Sequence, residues 1–229
     1  MPRHRRIKTD QLIYHVISRG NNKMTIFHDD RDYKSYLNIL MRYKEKMPFA
    51  LYHYCLMNNH VHLLLRPQCD ISWLMHGINL SYAQYFKRRY SHIGHFWQDR
   101  FKSHIVSQDS YLLQCARYIE TNPCRIVPAR SLDRYPYSSY RFYACGQDSD
   151  LITQNPLYNN FGLTDTERRA RYLQFTSEGC DAKLEIKQSQ FIASEEYVLE
   201  LLTTTLRNRI KRKRGRPRIN PQKLVYNIL

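Results

Sequence analysis

The sequence predicts an α+β fold: a ferredoxin-like, split-βαβ antiparallel sheet with helices on one face, extended by a small helical segment at the C-terminal end. Three observations carry that prediction. Short runs rich in β-branched and aromatic residues alternate with long runs of helical periodicity, in the order β-α-β-β-α-β and then a further helix. Two of the apolar runs meet at Asn58-Asn59, a hairpin signal. Strand signals thin out after about residue 145, where helical spacing takes over.

The elements follow in order. Leu12 to Ser18 reads as a strand and stops at Arg19-Gly20-Asn21-Asn22, a turn. Asp29-Asp30 supplies an N-cap and favourable charge for a helix whose apolar positions are Tyr33, Tyr36, Leu37, Leu40 and Met41; Pro48 marks its end. Ala50–Met57 and His60–Leu65 are the two arms of the hairpin. Ile71–Tyr90 is a second helix with Leu74, Ile78, Tyr82, Tyr85 and Phe86 on its apolar stripe. The loop Gly94-His95-Phe96-Trp97 leads to a short strand at Ser103–Val106, and Asp109 caps a third helix that Pro123 stops. Residues 1–145 are read as one domain and 146–229 as an extension, with helices at Thr164–Phe175 and Ser194–Leu206 and a basic tail.

Composition narrows the partner. Hydrophobic residues make up 42% and charged residues 24%, ordinary for a globular chain, but Lys plus Arg outnumber Asp plus Glu by 36 to 20, a net charge of +16. Such an excess points to a polyanion. No apolar run approaches the roughly 18 residues of a membrane span and no apolar stretch follows the basic start, so nucleic acid is favoured over a membrane and a cytoplasmic, nucleoid-associated location is expected. The six cysteines form no Cys-x-x-Cys pair, which removes zinc-ribbon and thioredoxin-like readings and leaves reduced thiols as the expectation.

Within the hairpin, His60 and His62 lie two apart on a strand and so share a face, where two neutral imidazoles can hold a divalent cation completed by oxygen donors. The bland reading is a pair of half-exposed strand histidines. On the third helix, Leu112, Ala116 and Ile119 form a stripe suited to a sheet, and Tyr111, Gln114, Tyr118 and Asn122 form another beside it. Tyr118 and Asn122 are one turn apart, a phenol and an amide fit to serve as nucleophile and ligand. Spacing alone does not choose Tyr118 over Tyr111 among 19 tyrosines.

Several ordered segments resemble one family. Leu56-Met57-Asn58-Asn59-His60-Val61-His62-Leu63-Leu64-Leu65 resembles the HUH motif of single-tyrosine, IS200-like transposases, and so, for the same family, do Tyr14–Asn21, Gly94–Lys102, Arg117–Pro123 and Tyr135–Tyr140. The nearest branch by resemblance is the REP-associated tyrosine transposases, over about residues 8–145. The resemblance implies that His60 and His62 bind Mg²⁺ or Mn²⁺, that Tyr118 is the nucleophile, and that Asn122 stands where relatives often place a third polar ligand. It further implies a covalent link to a 5′ phosphate, a free 3′ hydroxyl, and strand transfer on single-stranded or hairpin DNA from repetitive extragenic palindromes. The alternative is a hairpin-binding protein that does not cut; an RNA-binding regulator rests on charge and aromatics alone. Relatives outside that branch act as dimers with shared sites, and a monomer is favoured here.

Candidate DNA contacts are Arg19, Trp97, Arg100 and Lys102, with Arg5 and Arg6 beside them; Phe96, Trp97 and Phe101 either stack on bases or anchor their loop in the core. In the tail, Arg214, Arg216 and Arg218 surround Gly215 and Pro217 in an AT-hook-like run. General phosphate attachment is favoured over minor-groove recognition for that run.

Overall fold

The computed structural model describes residues 12–107, 110–178 and 191–212. β1 (Ile13–Arg19), α1 (Asp30–Lys46), β2 (Phe49–Met57), β3 (His60–Pro67), α2 (Ile71–Tyr90) and β4 (Lys102–Val106) follow the expected split-βαβ order. Then come α3 (Ser110–Glu120), α4 (Tyr140–Cys145), α5 (Asp165–Ser177), a two-residue β5 (Phe191–Ile192) and α6 (Glu195–Arg212). The class is α+β, as the sequence predicts. α4 and β5 are too short to leave a periodic signal.

Helix starts are fixed by side chains. Asp29 accepts the N–H groups of Arg31 and Asp32 at the head of α1, Asp70 accepts that of Ser72 at α2, and Thr164 accepts that of Glu167 at α5. Asp109, the expected cap of α3, lies outside the described residues, as do Arg5, Arg6, Arg214, Arg216 and Arg218.

The sheet runs β2-β3-β1-β4-β5, antiparallel except for the β4–β5 pair. Alternation along the strands builds two layers. Tyr14 and Val16 of β1 and Val61, Leu63 and Leu65 of β3 join Tyr36, Leu40, Leu74, Ile78 and Tyr82 in a core beneath α1 and α2. The opposite face carries Ile13, Leu64, Cys55, Met57 and Val106, packed against Leu112, Cys115, Ala116 and Ile119 of α3. The two crossover helices thus cover one face as expected, and α3 takes the other. That second placement decides the site, because it puts α3 on the face that receives the even-numbered residues of β3.

Two irregularities position side chains. The Asn58-Asn59 turn has no residue of positive φ; its carbonyls are held instead by the N–H groups of Gly20, Ile26 and Phe27, at 2.7 to 3.1 Å. A tertiary clamp from the preceding loop therefore does the work that primed-turn geometry does in an isolated hairpin. In β2, Leu51 pairs with Leu65 but His53 pairs with Leu64, so Tyr52 is a bulge residue. Regular pairing would turn His53 into the α1–α2 layer; the bulge swings it onto the α3 face.

The extension joins the main core: Leu151, Ile152, Tyr158 and Tyr172 are buried in the same cluster as the α1–α2 layer. Cys55, Cys69, Cys115 and Cys145 are free thiols, whereas Cys124 is disulfide-bonded, which corrects the expectation of reduced cysteines at that position. No helix among the described residues is long and apolar enough to cross a membrane.

Candidate active site

The site is built where β3 and β1 run under α3. Register sets its rows: Arg19 lies opposite His60, Ile17 opposite His62, and His15 opposite Leu64 and His104. Directly paired residues share a face, so His15, His60, His62 and His104 all project toward α3. The rings of His60 and His62 are 4.9 Å apart at 76°, and those of His15 and His62 are stacked at 5.1 Å.

The phenol ring of Tyr118 meets this cluster edge-on, 5.7 Å from His62 and 5.9 Å from His15. Tyr111 is seven residues earlier, about 10 Å back along the helix axis. The Tyr118 ring thus stands over histidines of its own chain.

The hydrogen bonds assign ring nitrogens. The Nδ1–H of His60 donates to the Asn59 side-chain oxygen at 2.6 Å, which leaves Nε2 with the lone pair. His62 Nδ1 lies 2.9 Å from His15 Nε2, so one of this pair donates to the other and Nε2 is again the nitrogen His62 has left for a cation. Burial holds His62 well below the usual imidazole range, reinforced by His15, His60, Arg125 and Arg19, and pulls His60 down to about 4, reinforced by Arg19 and Arg125. Burial and then His104 bring His15 down to about 3. All three are therefore neutral near pH 7, the form that ligates a metal.

Asn122 opens the 3-10 turn Asn122–Arg125 that follows α3, where Pro123 denies the helix continuation. Its Nδ2 donates to the Tyr118 carbonyl at 2.7 Å and less closely to that of Ile119. Because carbonyls only accept, the amide orientation is fixed, and Oδ1 is left buried without a partner. A buried, unsatisfied amide oxygen is a donor suited to Mg²⁺ or Mn²⁺. Among the described residues no three His, Cys, Asp or Glu side chains come together as a ligand group. Two neutral imidazoles and an orphaned oxygen fit a divalent cation.

Cations surround the histidines. Arg19 is exposed at the end of β1 in the His60 row, and Lys102 is exposed opposite Ile17, in the row of His62. Arg125, not singled out by sequence reasoning, is exposed one turn past Asn122 and acts on both His60 and His62. Arg100 is exposed just before β4. Trp97 is half-buried: its indole N–H donates to the Asn79 carbonyl at 2.9 Å and its ring lies against Phe96 and Tyr82, while Phe96 and Phe101 are buried. These aromatics anchor the loop. His15 is the other member that sequence reasoning missed; β1 alternation gives its face, and the expected ferredoxin-like order, with β1 beside β3, is the signal that points to it.

The family model described as "Transposase IS200 like" matches residues 8–122, half of the chain, ending on Asn122. A solved structure of a REP-associated tyrosine transposase bound to a REP hairpin superposes with a TM-score of 0.54 at 16% identity, over 67% of this chain and 94% of that one. At that identity the likeness speaks for the fold. No curated protein matches the chain in sequence.

Proposed function

The chain belongs to the IS200-like transposase family, and from that premise we propose that it is a metal-dependent, single-tyrosine DNA endonuclease and strand transferase acting on hairpin or single-stranded DNA. The observation that carries the proposal is the position of the Tyr118 ring, 5.7 Å from His62 on the same chain. The REP hairpin bound by the structural neighbour supports repetitive extragenic palindromes as the substrate class. A tyrosine that faces its own histidines supports a monomer, in which one chain supplies both parts of the site.

His60, His62 and Asn122 are the residues that would hold Mg²⁺ or Mn²⁺. Such a cation supplies Lewis-acid polarisation of a non-bridging phosphate oxygen. The chain's residues do the rest. The Tyr118 oxygen attacks phosphorus, sheds its proton and forms a phosphotyrosine bond; the bond from phosphorus to the 3′ oxygen breaks, and that oxygen leaves as a 3′ hydroxyl. The 5′ phosphate stays on Tyr118. Attack by a 3′ hydroxyl on the phosphotyrosine reverses the step and joins strands with no external energy source. Arg19, Arg125, Arg100 and Lys102 neutralise phosphates, and Asn122, tied to the Tyr118 carbonyl, links the ligand set to the nucleophile's backbone.

A labelled REP-type hairpin tests this. Wild-type protein cleaves it with Mn²⁺ or Mg²⁺ and chelation stops the reaction. Tyr118→Phe and His62→Ala each bind without cutting, and mixing the two variants restores nothing, because one chain supplies both parts. Tight binding by the wild type with no cleavage under either metal would instead establish a hairpin-binding protein.

A further inference from the structure

Beneath α3, on the side away from solvent, lies a polar cluster that plays no part in the chemistry above. The carboxylate of Glu120, the last residue of α3, is fully buried. Its Oε1 accepts from Ser139 at 2.5 Å and from His53 Nδ1 at 2.8 Å, and its Oε2 accepts from the Tyr172 hydroxyl at 2.8 Å.

The tautomer of His53 is set by the outer members of the cluster. The Leu157 N–H donates to Asn155 Oδ1 at 2.9 Å, which orients the amide so that Nδ2 donates to His53 Nε2, also at 2.9 Å. His53 therefore carries its proton on Nδ1 and directs it at Glu120. Ser139 faces the carboxylate and not the imidazole, so no serine nucleophile is assembled. The cluster is structural, and every one of its bonds is directed.

Tyr172 belongs to α5, outside the segment matched by the family model. A second link joins the same two helices: the Arg117 guanidinium lies 4.6 Å above the Phe175 ring and reaches its carbonyl. Arg117 and Glu120 bracket Tyr118. The apolar stripe of α3 also packs on the sheet, but apolar contact is not directional. Such contact tolerates a slide or roll of a short helix, whereas three donors converging on one buried carboxylate do not.

We infer that α5 is a clamp on the nucleophile helix: Tyr172 and Glu120 are positioning residues that fix the rotation of α3 and so hold Tyr118 over the histidines of its own chain. The inference rests on Tyr118 being the nucleophile. It gives the extension a role that the shared family segment does not contain. It also accounts for the bulge at Tyr52, which turns His53 toward Glu120.

The test compares Tyr172→Phe with Phe161→Leu in the full chain. Phe161 packs against the rings of Tyr172 and Phe175 but makes none of the hydrogen bonds of the polar cluster, so Phe161→Leu controls for general loosening of the extension. Two readouts are taken at a temperature where both variants are folded: the single-turnover rate of covalent adduct formation on a hairpin, with hairpin affinity, and hydrogen exchange of the α3 amides. Tyr172→Phe is expected to slow adduct formation about tenfold or more with affinity within twofold, and to speed α3 exchange about tenfold while β1 and β3 stay protected. Phe161→Leu is expected to do neither. Unchanged α3 exchange in Tyr172→Phe, or equal losses in the two variants, overturns the clamp. If the wild type forms no adduct, the nucleophile reading fails on its own, and the exchange readout still decides whether α5 holds α3.

Discussion

Replacing Glu120 by Met is a perturbation whose cost can be worked from the contacts. Methionine fills the carboxylate's volume, so no water enters to take its place, but it offers no comparable acceptor. Ser139 keeps an alternative, because its hydroxyl also reaches the Tyr54 carbonyl at 3.3 Å. His53 and Tyr172 are both buried and lose the carboxylate that accepts their donor hydrogens. Two orphaned buried donors at about 1–3 kcal/mol each amount to about 2–6 kcal/mol. That is a large share of the roughly 5–15 kcal/mol by which domains are stable. Glu120→Gln keeps an oxygen for His53 and Ser139 and turns an N–H toward the Tyr172 oxygen, so about 1 kcal/mol is expected. Urea unfolding followed by circular dichroism measures both, with the slope checked for constancy. A double variant with His53→Leu removes one orphan and should recover at least about 1 kcal/mol of the sum. Equal losses for Met and Gln, or strict additivity with His53→Leu, would refute the assigned hydrogen bonds.

Two further outcomes follow from the site. His15→Phe removes the partner of His62 Nδ1, and Mn²⁺ affinity read by electron paramagnetic resonance should fall about 10- to 100-fold with the fold intact; affinity within twofold of wild type would remove His15 from the site. Arg19→Ala and Arg125→Ala should each lower the slope of log affinity against log salt by about one on hairpin DNA, whereas Trp97→Leu lowers thermal stability and leaves that slope alone. An unchanged slope in both arginine variants would place the phosphates elsewhere.

Much of this was legible in the sequence, for identifiable reasons. Strands, long helices and their starts announce themselves locally: Asp29, Asp70 and Thr164 cap the helices they precede, and the Asn58-Asn59 turn divides two apolar runs. His60 and His62 share a face because alternation requires it. What sequence alone did not resolve depends on which element lies beside which. That the Tyr118 ring stands beside His62 needed the placement of α3 on the sheet. His15 became part of the site through the β1–β3 pairing, and Arg125 through the 3-10 turn after Asn122. The Glu120 cluster joins residues from β2, α3, the segment before α4, and α5, and it depends on a bulge that no local pattern around Tyr52 reveals. Trp97 is a residue whose role the sequence left open between stacking on bases and anchoring its loop, and its indole N–H is bonded to the Asn79 carbonyl.

The most direct test of the whole proposal is to locate the covalent bond. Wild-type protein is incubated with a hairpin and Mn²⁺, digested with nuclease and protease, and the peptides are weighed. A nucleotide joined through its 5′ phosphate to Tyr118, with a free 3′ hydroxyl on the released strand, is the expected result. Cleavage without an adduct, or an adduct on Tyr111 or any other residue, would contradict a site in which Tyr118 attacks beside His60 and His62.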